Sequence, residues 1–254
     1  MDQSVFDIFL ITMSGIALIV FIALYFVEAG YGLMFDRKWG LPLDNRWAWM
    51  LMEAPVFLVM LAFWWSSDRK YETVPLLFFL FFECHYFQRS FIFPWLIKSR
   101  SRMPLGIMLM GICFNLLNGI MQGEWIFFLS PANRYDLAWL QTPQFIVGTL
   151  LFFTGMILNI QSDRIIRHLR APGDTRHYLP EKGLFRYITS ANYFGEIVEW
   201  CGFAIMTWSW AGAVFAWWTI ANLVPRSNSI YHRYQQEFGA ERLKGKKRIL
   251  PFIY

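Results

Sequence analysis

The run 6–27, FDIFLITMSGIALIVFIALYFV, is twenty-two residues long and carries one charge, at Asp7. A helix needs about 20 apolar residues to cross a hydrocarbon core. Six more such runs follow, at 47–65, 74–97, 104–122 (with Leu129 as an outer limit), 143–160, 191–208 and 211–224. The first is too long and too weakly basic at its start for a cleaved signal peptide, so it reads as a permanent helix. The last two are short and closely linked, and hydropathy alone fits either two crossings or one hairpin dipping into the bilayer. Composition agrees with a membrane chain: 56% of the residues are hydrophobic, above the ~45–50% of soluble domains. Because the apolar residues form continuous runs rather than alternating ones, a transmembrane barrel is excluded. The expectation is an all-α polytopic membrane protein with seven transmembrane helices. It forms a single domain over 1–254, with substrate-side residues in about 1–130 and most cofactor contacts in about 131–254.

The basic residues give that reading a direction. Of 23 lysines and arginines, the connections on the N-terminal side hold three, those on the other side hold 19, and Arg89 lies inside the third run. By the positive-inside rule the N-terminus lies outside and the C-terminal tail in the cytosol. Topology thus accounts for most of the net charge of +5, and no nucleic acid is needed to explain the basic tail RLKGKKR. The membrane itself is either a bacterial inner membrane or the endoplasmic reticulum. Cys84, Cys113 and Cys201 are odd in number and all lie within runs, so neither a disulfide framework nor a zinc set is expected. No obligate protein partner is evident.

Ionisable groups at membrane depth are costly unless they are paired or functional. Trp49 and Glu53 fall one and two turns into the second run. His85, Tyr86 and Arg89 lie in the half of the third run that approaches the cytosol. Asn115, Asn118 and Gln122, at i, i+3 and i+7, mark one face of the fourth helix. Asn159 and Asp163 end the fifth run, with Arg167 and Arg170 continuing outward, and Asn192, Glu196 and Glu199 open the sixth. Five helices therefore turn polar faces to a common depth, as for one polar pocket opening to the cytosol. Interhelical hydrogen bonding alone is the competing reading for Asn115, Asn118, Gln122 and Glu199. Glu83 and His85 equally fit a helix-packing pair, and Glu28 and Glu124 fit an interfacial position. Glu53, with no lysine or arginine within a turn inside its run, points to function.

The cytosolic segment 161–190 adds Arg164, Arg167, Arg170, Arg176, Lys182 and Arg186, and the preceding cytosolic loop adds Lys98, Arg100 and Arg102. Arginines above a polar pocket suit a phosphate-bearing ligand. No GxGxxG, GxxxxGK[ST] or HExxH motif occurs, so a soluble Rossmann domain, a P-loop and a standard zinc hydrolase are unsupported. On the residues alone the chain is a multi-span protein with an anion-binding mouth above a buried carboxylate, either enzyme or transporter.

The run LNIQSDRIIRHLRAPGDTRHYLPEKGLFRYITSANYFGEIVEWCGFAIMTWS closely resembles the C-terminal half of the steroid 5α-reductases, the 3-oxo-5α-steroid 4-dehydrogenases, and KKRILPFIY resembles their ending. GYG at 30–32, WMLMEAPVF at 49–57 and HYFQRSF at 85–91 resemble the family's N-terminal motifs, and Glu53 with the His85-Tyr86 pair narrows the match. The C-terminal region alone is shared with sterol reductases, trans-2-enoyl-CoA reductases and, more distantly, isoprenylcysteine carboxyl methyltransferases. The resemblance implies a seven-helix membrane fold and NADPH-dependent reduction of the C4–C5 double bond of 3-oxo-Δ4 steroids such as testosterone or progesterone. It implies that Glu53 and Tyr86 hydrogen-bond the 3-oxo group, that Phe114 and Trp218 belong to the substrate wall, and that Asn192 and Glu196 hold the nicotinamide end. Trp49, Arg89, Arg102, Asn159, Asp163, Arg170 and Tyr234 match cofactor-side positions, and Arg100 and Arg167 join them.

The chemistry suits those roles. Hydride addition at C5 of an enone drives negative charge onto the carbonyl oxygen, and donors placed there stabilise it. A tyrosine donates through its hydroxyl; a carboxyl donates only when protonated, the form that apolar surroundings favour. A flat apolar steroid can arrive laterally from membrane lipid, while the charged cofactor arrives from the cytosol. Departures from the family pattern fall on HYLP at 177–180, where His177 or Tyr178 would replace an adenosine-side contact, on NSIYHRY before the tail, and on Trp217, Trp218 and Asn222 in the substrate wall. Reduction of another lipid enone or enoyl-CoA, an isoprenylcysteine-type methyltransferase and a lipid-binding transporter remain the alternatives.

Overall fold

All seven apolar runs are helical in the computed structural model, which describes residues 1–28, 30, 32–97, 101–171, 174 and 176–254. Helix α1 (Gln3–Ala23) begins where the Asp2 carboxylate accepts from the Val5 amide at 2.9 Å, and α2 (Asn45–Ser66) where Asp44 accepts from Arg46 at 3.0 Å. Each cap satisfies an amide that has no partner inside the helix. The third run is α3 (Thr73–Phe87), a π turn over Gln88–Ile92 and the short α4 (Phe93–Leu96). Helix α5 (Leu105–Glu124) is prolonged by a π turn, Trp125–Leu129. Helix α6 (Pro143–Arg167) starts on a proline behind a Thr142 cap, the helical position where a missing N–H costs nothing. Helices α7 (Ala191–Thr207) and α8 (Trp210–Phe238) close the order.

Four of these, α1, α2, α5 with its π turn, and α6, are long and apolar enough to cross a membrane by length and composition. The other three runs are helical but fall outside those limits: the third is broken by its π turn, and α7 has 17 residues. Two ends run beyond their hydropathy bounds, because a helix continues past the point where its side chains turn polar. Helix α6 carries on to Arg167 and α8 to Phe238. The chain is not purely helical: Pro42–Asp44 (β1) and Arg102–Pro104 (β2) pair antiparallel, with Leu43 opposite Met103. These strands lead directly into α2 and α5 and fix their starts side by side. Three-residue strands have too few side chains to leave a periodic signal.

Helix α1 leans on α8, where the Trp217 indole N–H donates to the Ser14 carbonyl at 3.3 Å. Helix α5 seats Gly111, Gly119 and Gly123 under Met52, Val59 and Phe63 of α2. Phe78, Phe82, Phe152, Trp200, Phe203 and Phe215 interlock at the centre of the core. Ile8, Ile11, Ile19, Leu58, Leu150 and Ile157 stand exposed on the outside, a continuous apolar exterior that fits hydrocarbon rather than water. Among the described residues the three cysteines are free.

Candidate active site

Two helices meet at backbone distance beside the polar cluster. Gly148 and Gly155 of α6 face Gly202 and Gly195 of α7, two turns apart on each. A Cβ added to Gly155 would lie 2.5 Å from the Gly195 carbonyl oxygen, and one on Gly195 would lie 2.5 Å from the Asn159 nitrogen. Only glycine permits that approach. Its consequence is local: the Asn159 amide donates to the Asn192 carbonyl at 3.0 Å and to Glu196 Oε2 at 3.4 Å. Asn192 Nδ2 in turn donates to Asp163 Oδ1 at 3.2 Å. Four residues predicted for the cofactor side thus form one hydrogen-bonded group.

Arg89 joins that group from the third run. Its Nη1 donates to Asp163 Oδ2 at 3.1 Å, and its guanidinium lies 5.0 Å from the Trp49 ring and 4.3 Å from the Phe93 ring. A guanidinium over aromatic faces is stabilised by the ring quadrupoles. The π turn Gln88–Ile92 places it: widening the helix by one residue shifts the side chains after Phe87 relative to those before it, a device common at functional sites. Glu53, Glu196 and Asp163 are the acidic groups that act on Arg89 electrostatically, together with Glu199.

The other half of the cluster is built of amides. Asn115 Nδ2 donates to the Met52 carbonyl at 2.7 Å and to Glu53 Oε2 at 3.3 Å. Asn118 Nδ2 donates to the Tyr86 hydroxyl at 3.1 Å. Gln122 Nε2 donates to the Ala211 carbonyl at 2.9 Å and lies 3.5 Å from Asn118 Oδ1. Asn115 and Asn118 are one turn apart, about 4.5 Å along the axis, so Glu53 and Tyr86 face the same stretch of α5. Tyr86 is 3% exposed. Asn115 and Asn118 therefore bond Glu53 and Tyr86 directly, while Gln122 joins α5 to the α8 backbone and reaches Tyr86 only through Asn118.

His85 pairs with Glu199, not with Glu83: Nδ1 and Oε1 are 2.7 Å apart and Glu199 is 0% exposed. Successive residues of α3 thus present Tyr86 and His85 to different partners, and the Trp200 ring covers both, at 5.7 and 4.6 Å. Both Glu83 oxygens are buried with no hydrogen-bond partner among the described residues. Glu124 accepts from the N-terminal ammonium at 3.3 Å, and Glu28 is exposed.

The remaining predicted residues surround this centre. Arg167 continues the Asp163 face and is half-buried, with Nη1 covered and no hydrogen-bond partner among the described residues. Arg102 is exposed on β2, and Arg170 lies within electrostatic reach of Tyr178 and Tyr234. Arg100 and the centre of the GYG motif, Tyr31, lie outside the described residues. The Tyr178 hydroxyl donates to Asp174 at 2.7 Å. Hydrogen bonds from Arg176 and Tyr178 hold the Asp174 carboxyl below the usual carboxylate range, and the same bond raises the tyrosine. His177 instead meets Glu237, at 2.8 Å. Phe114 and Trp218 pack at 4.8 Å, whereas Trp217 turns to α1 and Asn222 is exposed. Sequence reading missed Tyr193 and Arg226, joined at 2.6 Å. An arginine following an apolar run is the signal that could have found them.

Residues 101–254 match the model of the family described as 3-oxo-5-alpha-steroid 4-dehydrogenase. Steroid 5-alpha-reductase DET2 of Gossypium hirsutum is 35% identical over 258 residues, covering 100% of this chain and 99% of the relative. The 3-oxo-5-alpha-steroid 4-dehydrogenase 1 of Homo sapiens is 40% identical over 216 residues, covering 84% of this chain and 82% of that one. Arabidopsis thaliana contributes a third relative, a steroid 5-alpha-reductase DET2 that is 34% identical over 260 residues, 100% of this chain and 98% of its own. The chain belongs to the 3-oxo-5-alpha-steroid 4-dehydrogenase family, a family of oxidoreductases.

Proposed function

We propose that this chain reduces the C4–C5 double bond of 3-oxo-Δ4 steroids to 5α-dihydrosteroids, with NADPH as reductant. One observation carries the reading beyond family membership: Tyr86 accepts a hydrogen bond from Asn118 beside Glu53, itself bonded to Asn115. Two groups able to donate thereby converge on one stretch of buried space. In that place a 3-oxo oxygen would receive hydrogen bonds that strengthen as it gains charge, worth on the order of 10²–10³ in rate for each donor.

The donor set fits NADPH. The amides of Asn159 and Asn192 with Glu196 suit a carboxamide, and the covered, unpartnered Nη1 of Arg167 suits a phosphate oxygen. Arg89, Arg102 and Arg170, with Trp49, Asp163, Tyr178 and Tyr234 around them, complete a cofactor side, and Arg100 is assigned there from the sequence. NADPH, when bound, supplies the hydride that C5 receives. Glu53 and Tyr86 hold the 3-oxo oxygen and stabilise the enolate, which takes a proton at C4. Phe114, Trp218 and the apolar core exclude water and lie along the steroid body. The same reading has all seven helical segments crossing the membrane in one domain, with the N-terminus outside and the cofactor mouth in the cytosol. Its support is the three-to-19 division of basic residues and the extension of α6 and α8 beyond their apolar stretches on that side.

Purified protein in detergent, given NADPH and progesterone or testosterone, should yield the 5α-dihydro product and no product from an enoyl-CoA. Glu53→Gln, which still donates through its amide, should keep more activity than Glu53→Leu, with NADPH affinity unchanged in both. Wild-type turnover by Glu53→Leu would remove Glu53 from the reaction. Absence of NADPH oxidation with any steroid would refute the reading as a whole.

A further inference from the structure

The amide ladder on α5 has a direction, and the backbone sets it. A carbonyl oxygen can only accept, so the bond to Ala211 O at 2.9 Å obliges Gln122 to present its NH2 there. The same Nε2 lies 3.5 Å from Asn118 Oδ1, which orients the second amide. Asn118 must then turn its own NH2 toward Tyr86, whose hydroxyl oxygen receives it at 3.1 Å. With that lone pair used, the Tyr86 hydrogen points away from Asn118, and among the described residues no protein acceptor takes it. Gln122 and Asn118 are both 0% exposed. Bulk solvent therefore has no access to either amide.

We infer that Asn118 and Gln122 are positioning residues that hold Tyr86 as a hydrogen-bond donor toward the substrate, with the α8 backbone at Ala211 as the fixed end of the relay. This inference rests on the steroid-reduction reading and deepens it. A tyrosine hydroxyl rotates freely and both donates and accepts. An acceptor at position 118 would capture the hydrogen and leave only a lone pair facing the substrate oxygen, which repels it. The ladder removes that outcome without placing a charge beside Tyr86.

The test is polarity reversal with little change of shape. Asn118→Asp and Gln122→Glu substitute an oxygen for the NH2 group at constant volume. Asn118→Asp should lower kcat about 10²- to 10³-fold, as should Tyr86→Phe, while NADPH affinity stays at the wild-type value. The decisive measurement is the double variant: Tyr86→Phe with Asn118→Asp should be no slower than either alone, because Asn118 acts only through the Tyr86 hydroxyl. A second readout needs no turnover. A donated hydrogen bond moves the ultraviolet absorption of a bound enone to longer wavelength, and Asn118→Asp should reduce that shift as far as Tyr86→Phe does. Multiplying losses in the double variant, or an Asn118→Asp protein that keeps both rate and shift, would overturn the inference while leaving steroid reduction intact. A wild-type protein that neither binds nor reduces steroid would overturn both together.

Discussion

Gly155→Ala tests how closely catalysis depends on the α6–α7 approach. The added methyl would lie 2.2 Å from the Glu199 backbone nitrogen and 2.5 Å from the Gly195 carbonyl oxygen. Real contacts of such a carbon essentially never fall under 3.0 Å and become ordinary near 3.4 Å, so the helices must part by about 0.8–1.2 Å at this turn. Asn159 is one turn further along the same face. Its bond to Asn192 O would stretch from 3.0 Å to about 3.8–4.2 Å, and its contact with Glu196, already at 3.4 Å, would be lost; neither survives as a hydrogen bond beyond about 3.5 Å. Leaving buried amides unpaired costs ~1–3 kcal/mol, in addition to ~1–3 kcal/mol for overpacking. The expected results are an NADPH dissociation constant raised about 5- to 150-fold and a lower thermal midpoint in detergent. Gly15→Ala is the matched control, since a Cβ there meets nothing within 4 Å, and it should be neutral or stabilise α1 by up to ~1 kcal/mol. If Gly155→Ala bound NADPH and melted like wild type, the glycine contact would not be what positions Asn159.

Other perturbations separate structural from chemical roles. His85→Leu strands the fully buried Glu199 carboxylate and should destabilise the fold by ~3–5 kcal/mol. His85→Leu with Glu199→Leu should recover most of that in a thermal-unfolding cycle, and full additivity would show that the pair at 2.7 Å carries no coupling. Glu83→Leu should raise the thermal midpoint, because it removes a buried carboxyl with no hydrogen-bond partner at a gain of ~1–3 kcal/mol; a lower midpoint would reveal a stabilising role for the acid. Arg89→Lys keeps the charge but loses the guanidinium plane over Trp49 and Phe93, so NADPH titration should give weaker binding, and wild-type affinity would reduce Arg89 to a point charge. Asp174, held below the usual carboxylate range by Arg176 and Tyr178, steadies its loop fully above the unfolded value of ~3.9. That support fades as pH falls toward the lower folded value. Amide exchange at Tyr178 should therefore rise on acidification in wild type and already be high in Asp174→Asn.

What could be read from the chain before its structure follows a physical divide. Long apolar runs are a one-dimensional signal, and all seven appear as helices. The depth of each polar group along its run is nearly one-dimensional too, which is why Glu53, Tyr86, Asn115, Asn159, Asp163, Asn192 and Glu196 could be assigned to one cluster. Partnership is not one-dimensional. Glu83 and His85 are neighbours in sequence, yet His85 bonds a residue 114 positions away. Which side of α3 each takes depends on the helix phase against α7, and hydropathy does not encode it. The π turn that aims Arg89 was equally invisible, since widening a helix by one residue leaves composition unchanged. Glu199 could be placed only by its partner: it lies on the Asn192–Glu196 face but serves His85, not the cofactor group.

The two halves of the cluster also use different means for a common reason. On the proposed cofactor side, Arg89 and Asp163 form an ion pair flanked by Asn192 and by the Trp49 and Phe93 rings. On the Tyr86 side the side-chain hydrogen bonds found among the described residues are all donated by neutral amides. A lysine at position 118 could donate to Tyr86 as well as asparagine does. Its buried ammonium, however, would need an anion, desolvation of each ion costing several kcal/mol, and Glu53 is first among the carboxyls that act electrostatically on Tyr86. In the proposed mechanism, ionising Glu53 would remove the proton through which it donates. Amides provide direction without charge, so under that proposal a ladder of them keeps both donors while leaving the developing enolate as the only new charge in its half of the site.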